Sequence, residues 1–256
     1  MKELIQILSQ LKRLLHSGET FALATVVFVE GSAYRRPGAR MLIDENGNWW
    51  GGISGGCLEG DLLKKAQLAM RQQSIKNITY DTREDDPFQL GVGLGCQGLI
   101  EIIIDPIRTH LEQVAEKLSI CLDSGKNNTL QSIWDGSNFE IKIVSGLEGS
   151  FTQVGDKQVF VEHIPANTRI WIVGNQFDSN SLIHLCHQLA WEIHWVGNTL
   201  KMNPSVRNVV HTCYQWDDIL PFRDADVLVL MTHDFDRDVE FLSKYANLDS
   251  FSYVGI

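Results

Sequence analysis

The chain has 256 residues, 44% hydrophobic and 21% charged, enough for two modest domains each with its own core. Its 32 acidic and 22 basic residues leave a formal charge of −10, which repels a polyphosphate backbone, and no long basic run offsets it, so nucleic acid is not an expected partner. The five cysteines (Cys57, Cys96, Cys121, Cys186, Cys213) are odd in number and never spaced CxxC, which speaks against a disulfide framework or zinc knuckle and for a reducing cytoplasm.

"MKELIQILSQLKRLL" sets Leu4, Ile7, Leu8, Leu11, Leu14 and Leu15 at helical spacing, predicting an amphipathic helix and not a signal peptide, with His16-Ser17-Gly18 as its stop. No stretch approaches an uninterrupted membrane span. The β-branched run "TFALATVVFVEG" reads as a buried strand. After the basic loop "SAYRRPGAR", "MLID" and "NWWGGIS" flank the turn "ENG" and read as a hairpin. Residues 58–73 follow as a helix with Glu59 and Asp61 in its first turn. "NITYDT" and "LIEIIIDPI" read as strands around the loop "REDDPFQLGVGLGCQG", the second stopped by Pro106.

A second amphipathic helix over 110–126 and the short strands "TLQSIWDG", "NFEIKIVSG" and "QVFVEHIPA" read as a connecting region. From "NTRIWIVGNQ" onward the order becomes strand, glycine turn, helix and strand, and "ADVLVLMTHDFDRDVEFLSKY" repeats strand into helix. The expected class is α/β: an N-terminal α+β domain at 1–107, the connecting region at 108–165, and a Rossmann-like doubly wound parallel sheet at 166–256. The final strand "FSYVGI" has no following helix to cover it, so the sheet is expected to be either truncated at its C-terminus or covered by a partner, as in a homodimer.

"GGISGGCLEGDL" places Cys57 behind Gly51, Gly52, Gly55 and Gly56 and at a helix start, where N–H groups and the macrodipole favour the thiolate, the reactive and metal-binding form. The glycines let the backbone approach a bulky or anionic ligand. "GVGLGCQG" gives Cys96 a similar loop. Two thiols converging on one pocket suit a soft metal, a dithiolene-type ligand or sulfur transfer; the plain alternative is two small cysteines beside tight turns. Arg35, Arg36 and Arg40 bracket Pro37 and Gly38 and suit capture of phosphate or carboxylate. Asp81, Glu84, Asp85 and Asp86 read as a solvated turn with no role.

In the wound domain, "VGNQFDS" offers only Gly174 where a dinucleotide fingerprint needs three glycines. The acid expected at the end of the next strand is replaced by Gly197-Asn198, so NAD(P) binding of the usual kind is not expected. His184 and His187 share a helical face and read as satisfied histidines of a packed helix. "MTHD" lies just past a parallel strand, which makes Gly174, His233 and Asp234 a second candidate ligand site, although Asp234 as a helix cap is the plainer reading.

Taken together, the loops resemble those of the XdhC/CoxI family of accessory proteins for molybdenum hydroxylases such as xanthine dehydrogenase. "GSAYRRPGARM" is similar to the family's G-S-x-P-R-x-x-G-A-[KR]-M pattern at Gly31, Ser32, Arg35, Gly38, Ala39, Arg40 and Met41, with Tyr34 in place of proline. "GGISGGCLEGDL" is similar to a second segment through Gly55, Gly56, Cys57 and Glu59, and "GLGCQGLIEI" to a third through Gly95 and Cys96, with Gln97 where glycine is usual. The C-terminal half departs further, with Gly174-Asn175-Gln176-Phe177 where the family tends to have G-A-G-H. The resemblance implies a chaperone that holds molybdenum cofactor (molybdopterin), permits its sulfuration by a cysteine desulfurase, and delivers it to the apo-hydroxylase. It makes Arg35, Arg40, Gly55, Gly56, Cys57, Glu59, Gly95, Cys96 and Gln97 the expected cofactor site, with Cys57 and Cys96 as contacts to molybdenum or sulfur. The remaining alternatives are a cysteine-dependent sulfurtransferase, a nucleotide-dependent oxidoreductase and a degenerate scaffold.

Overall fold

The computed structural model describes residues 1–81, 83, 98–136, 138–245 and 248–256. They form two compact units, Glu3–Ala166 and Asn167–Ile256. Among the described residues no helix is long and apolar enough to cross a membrane.

The first unit opens with α1 (Lys2–Ser17), β1 (Phe21–Gly31), β2 (Arg40–Asp44), β3 (Trp49–Gly51), α2 (Glu59–Gln72), β4 (Lys76–Asp81) and β5 (Gly98–Asp105). The strands make one antiparallel sheet in the order β3-β2-β1-β5-β4, with the predicted hairpin at its edge. Successive side chains of a strand point to opposite faces. Ala22, Ala24 and Val26 of β1 join Leu62, Ala66 and Ala69 of α2 in one apolar cluster. Phe21 and Leu23 join Ile7, Leu11 and Leu14 of α1 in another. Both faces are covered, and for that reason the β1 sequence is apolar without alternation.

Residues 108–165, which read from sequence as a connector, fold as α3 (Arg108–Asp123) and the strands β6 (Asn128–Asp135), β7 (Asn138–Val144), β8 (Ser150–Val154) and β9 (Lys157–Ile164). The strands form a second antiparallel sheet, β7-β6-β9-β8. Trp134 and Phe160 from this sheet pack on Val27 and Ile103 from the first, within the same compact unit. Asp105, buried at the end of β5, takes hydrogen bonds from Trp134 Nε1 (3.2 Å) and the Ile107 N–H (2.9 Å) and lies 2.9 Å from His110 Nδ1.

The second unit comprises β10 (Arg169–Val173), α4 (Phe177–Gln188), β11 (Glu192–Val196), α5 (Pro204–Arg207), β12 (Thr212–Tyr214), β13 (Val227–Leu230), α6 (Phe235–Lys244) and β14 (Tyr253–Gly255). All five strands are parallel, in the order β12-β11-β10-β13-β14. Ile183 and Cys186 of α4 and Val206 of α5 pack with Ile170, Ile172 and Ile193; Phe241 of α6 packs with Trp171, Val173 and Leu230. The sheet is thus wound on both faces, as the alternating pattern predicts. His184 and His187 are both exposed on α4, so they are solvated and not packed.

A buried polar group sits at the opposite, amino ends of these strands. Arg169 Nη1 lies 3.2 Å from both Asp226 carboxylate oxygens, Trp171 Nε1 donates to Asp226 at 2.7 Å, and Glu192 lies 3.0 Å from His194 Nε2 and 3.3 Å from Arg169 Nε. The His194 contact and the charges of Arg169 and Arg223 outweigh burial and hold Glu192 down at about 2. A depressed carboxyl stabilises the fold above its unfolded value near 4.5, and that contribution is lost as pH falls toward 2. Glu192→Gln is expected to cost about 1–2 kcal/mol at pH 6, after allowing for solvent screening of a partly exposed group. The gap to the parent should narrow progressively as pH falls from 4.5 toward 2 in urea titrations; a gap independent of pH would contradict the assignment.

Candidate functional site

The glycine loop before α2 is organised by a residue that the cysteine-centred reading missed. Ser54 Oγ accepts hydrogen bonds from the Gly56 N–H (3.2 Å), the Leu58 N–H (3.2 Å) and the Cys57 thiol (3.5 Å), and itself donates to Glu59. Glu59 closes the turn by accepting from the Ser54 N–H (2.9 Å) and the Ile53 N–H (3.3 Å). Burial would raise the Glu59 carboxyl, but the Ser54 hydroxyl and backbone donors hold it below the usual range. Gly56 has φ +111°, a conformation that L side chains rarely adopt. The N–H groups expected to face sulfur are therefore spent on Ser54, and the half-buried Cys57 thiol is held as a donor on the same hub. The spacing Ser-x-x-x-x-Glu is two residues longer than a capping box, so the familiar pattern did not reveal it.

The arginine loop lies beside this turn: the Tyr34 ring would be 3.5 Å from a Cβ placed on Gly55. Its three arginines have different settings. Arg35 Nη2 bonds both Glu3 oxygens, at 2.6 and 2.7 Å. Arg36 is exposed and has no side-chain partner among the described residues. Arg40, only 5% exposed, pairs with buried Glu162 and donates to the Gly38 carbonyl at 2.9 Å. Its guanidinium is thus committed inside the protein, where the sequence places it on a ligand. Gly95, Cys96 and Gln97 lie outside the described residues, as do Glu84, Asp85 and Asp86. Among the described residues no group of three or more His, Cys, Asp or Glu is placed to hold a metal.

In the second unit a cleft of about 590 Å³ opens at the carboxyl ends of β10, β11 and β13, where open parallel sheets bind ligands. Gly174 and Thr232 line it. His233 stands just outside, at φ +55°, with Nε2 2.7 Å from Asp178. Slight burial would raise Asp178, but His233 and the Ser179 N–H hold it below the usual carboxylate range. Asp234 caps α6 by accepting from the Arg237 N–H at 3.3 Å.

Residues 14–81 match the XdhC and CoxI family. A Bacillus subtilis protein described as a probable xanthine dehydrogenase subunit is 40% identical over 118 residues, covering 46% of this chain and 36% of that protein. The Escherichia coli molybdenum cofactor insertion chaperone PaoD is 33% identical over 95 residues, 37% of this chain and 29% of that protein. These matches span about a third of the length of the curated relatives. A solved Bacillus halodurans structure described as a xanthine dehydrogenase superposes with a TM-score of 0.76 at 24% identity, covering 98% of this chain and 81% of that one, and shares the fold. Arg35, Arg40, Cys57 and Glu59 all lie within the segment that matches the XdhC and CoxI family.

Proposed function

We propose that this chain is an accessory protein for molybdenum hydroxylases of the xanthine dehydrogenase type, holding molybdenum cofactor as cargo for sulfuration by a cysteine desulfurase and for delivery to the apo-enzyme in a reducing cytoplasm. The observation that carries this reading is the half-buried Cys57 thiol, fixed by Ser54 and Glu59 on a glycine turn beside an arginine loop. The donor set fits the cargo's chemistry. A soft thiol suits molybdenum or its sulfur ligands, and the exposed Arg36 suits the cofactor's phosphate. Arg40 and Glu59 hold the two loops in shape. The name of the Escherichia coli relative, an insertion chaperone, supports a role in holding and transfer over catalytic turnover.

Anaerobic incubation with molybdenum cofactor followed by desalting should leave near-stoichiometric cofactor on the parent protein. Cys57→Ser should lower retention by roughly tenfold, about 1.4 kcal/mol, and Arg36→Ala by a smaller factor. Parent protein that emerges without cofactor would sink the proposal.

A further inference from the structure

We propose that the cleft at the carboxyl ends of β10, β11 and β13 binds an uncharged nucleoside, with the base on Trp216 and the sugar hydroxyls on Asp217 or Glu240, and disfavours nucleotides and dinucleotides. This goes beyond the cofactor-handling reading and uses none of its residues.

A volume of about 590 Å³ exceeds the needs of a lone base and suits a base with a sugar. The wall includes half-buried Trp216, whose ring is braced by Phe241 at 5.5 Å, a flat apolar surface on which a base can stack. Beside it stand Gln176 and Gln215. Their amide nitrogens donate to the Thr232 carbonyl (3.4 Å) and Thr199 Oγ1 (2.7 Å), leaving the amide oxygens as acceptors for a base edge. Carboxylates are the usual partners of ribose hydroxyls, and here they come from Asp217 and Glu240, not from the end of β11, where Asn198 stands.

Three features disfavour phosphate. Asp178 puts a carboxylate in the first turn of α4, where a pyrophosphate would need free N–H groups, and takes the Ser179 N–H itself at 3.0 Å. Asn175 bridges the ends of β10 and β11, accepting from the Asn198 N–H (3.0 Å) and donating to its carbonyl (3.1 Å). Arg237 is the one cation among the described lining residues, and it lies 3.4 Å from Asp234 while Asp217 and Glu240 add two negative charges. The lining is net acidic.

The test is calorimetric titration of the full chain at low salt with adenosine, guanosine, AMP and NAD. At least one nucleoside should bind saturably, AMP at least tenfold more weakly than adenosine, and NAD more weakly still. Trp216→Ala should abolish nucleoside binding. Asp217→Asn combined with Glu240→Gln, both at exposed positions, should narrow the gap between adenosine and AMP at least threefold. Should Trp216→Ala fail to melt cooperatively, Trp216→Phe, which keeps a stacking face, should retain binding. AMP or NAD binding as tightly as adenosine, no saturable nucleoside binding, or unchanged binding by a folded Trp216→Ala overturns the proposal.

Discussion

Glu162→Gln, with Arg40 left in place, is expected to destabilise the first unit by about 3–5 kcal/mol, because removing one partner of a buried ion pair leaves an uncompensated charge. Arg40 is 5% and Glu162 6% exposed, so water cannot replace the lost carboxylate. The guanidinium has little else to lean on: Nη1 reaches the Gly38 carbonyl, while buried Nε has no hydrogen-bond partner. The pair joins β9 of the second sheet to the start of β2, at the base of the arginine loop, so the cost falls on the segment that presents Arg35 and Arg36. Replacing both residues, Arg40→Met with Glu162→Leu, should be far milder than either single change and near neutral, since well-packed apolar side chains need no charge compensation. Urea titrations of the parent, both singles and the double give the coupling directly. A single-variant cost below about 1 kcal/mol would mean that water reaches the pair, and Arg40 would then return to consideration as a ligand-binding cation.

That contrast explains much of what was legible in the sequence. Elements whose burial is decided locally can be read from pattern: the stripe of α1, the unbroken apolar run of β1, and the strand-turn-helix order around β10 and β13. Each buries its face against neighbours that the same pattern announces. Three of the strands at 128–164 are legible as strands, but their place in the core is not, because β7 buries only Ile141 and the counterparts of Trp134 and Phe160 are Val27 and Ile103, distant along the chain. Their role in the core is a property of the tertiary fold. Arg40 is opaque for the same reason: a charge in a glycine-proline loop suggests capture of an anion until Glu162, 122 residues away, is seen to meet it. At the Cys57 turn the glycines and acidic helix start were visible. The hub was not, since a serine four residues ahead of a helix N-cap carries no established signal, and only the folded turn brings four groups onto its oxygen.

Gly174→Ala should be the most damaging single change in the second unit, costing about 4 kcal/mol or abolishing its cooperative unfolding. Gly174 has φ +137°, and a Cβ there would lie 2.5 Å from the Met231 carbonyl carbon, closer still to its oxygen, and 3.0 Å from the Thr232 nitrogen. These are backbone atoms with no rotamer to yield. Nor can the glycine swing aside: its N–H donates to the Val196 carbonyl at 2.9 Å, its carbonyl accepts from Trp195 Nε1 at 2.8 Å, and the Met231 N–H donates to Val173 at 2.6 Å. Relief therefore requires parting β10 from β13 or breaking the ties to β11. Gly60→Ala is the matching control, because nothing lies within 4 Å of its Cβ position in α2, and helix propensity predicts a gain of up to about 1 kcal/mol. Thermal melts followed by circular dichroism separate the two. The glycine of this turn is then explained by the approach of two strands, without appeal to a phosphate. A Gly174→Ala cost of about 1 kcal/mol or less would show that the strand ends can part, and would give the glycine back to ligand binding as its reason for being there.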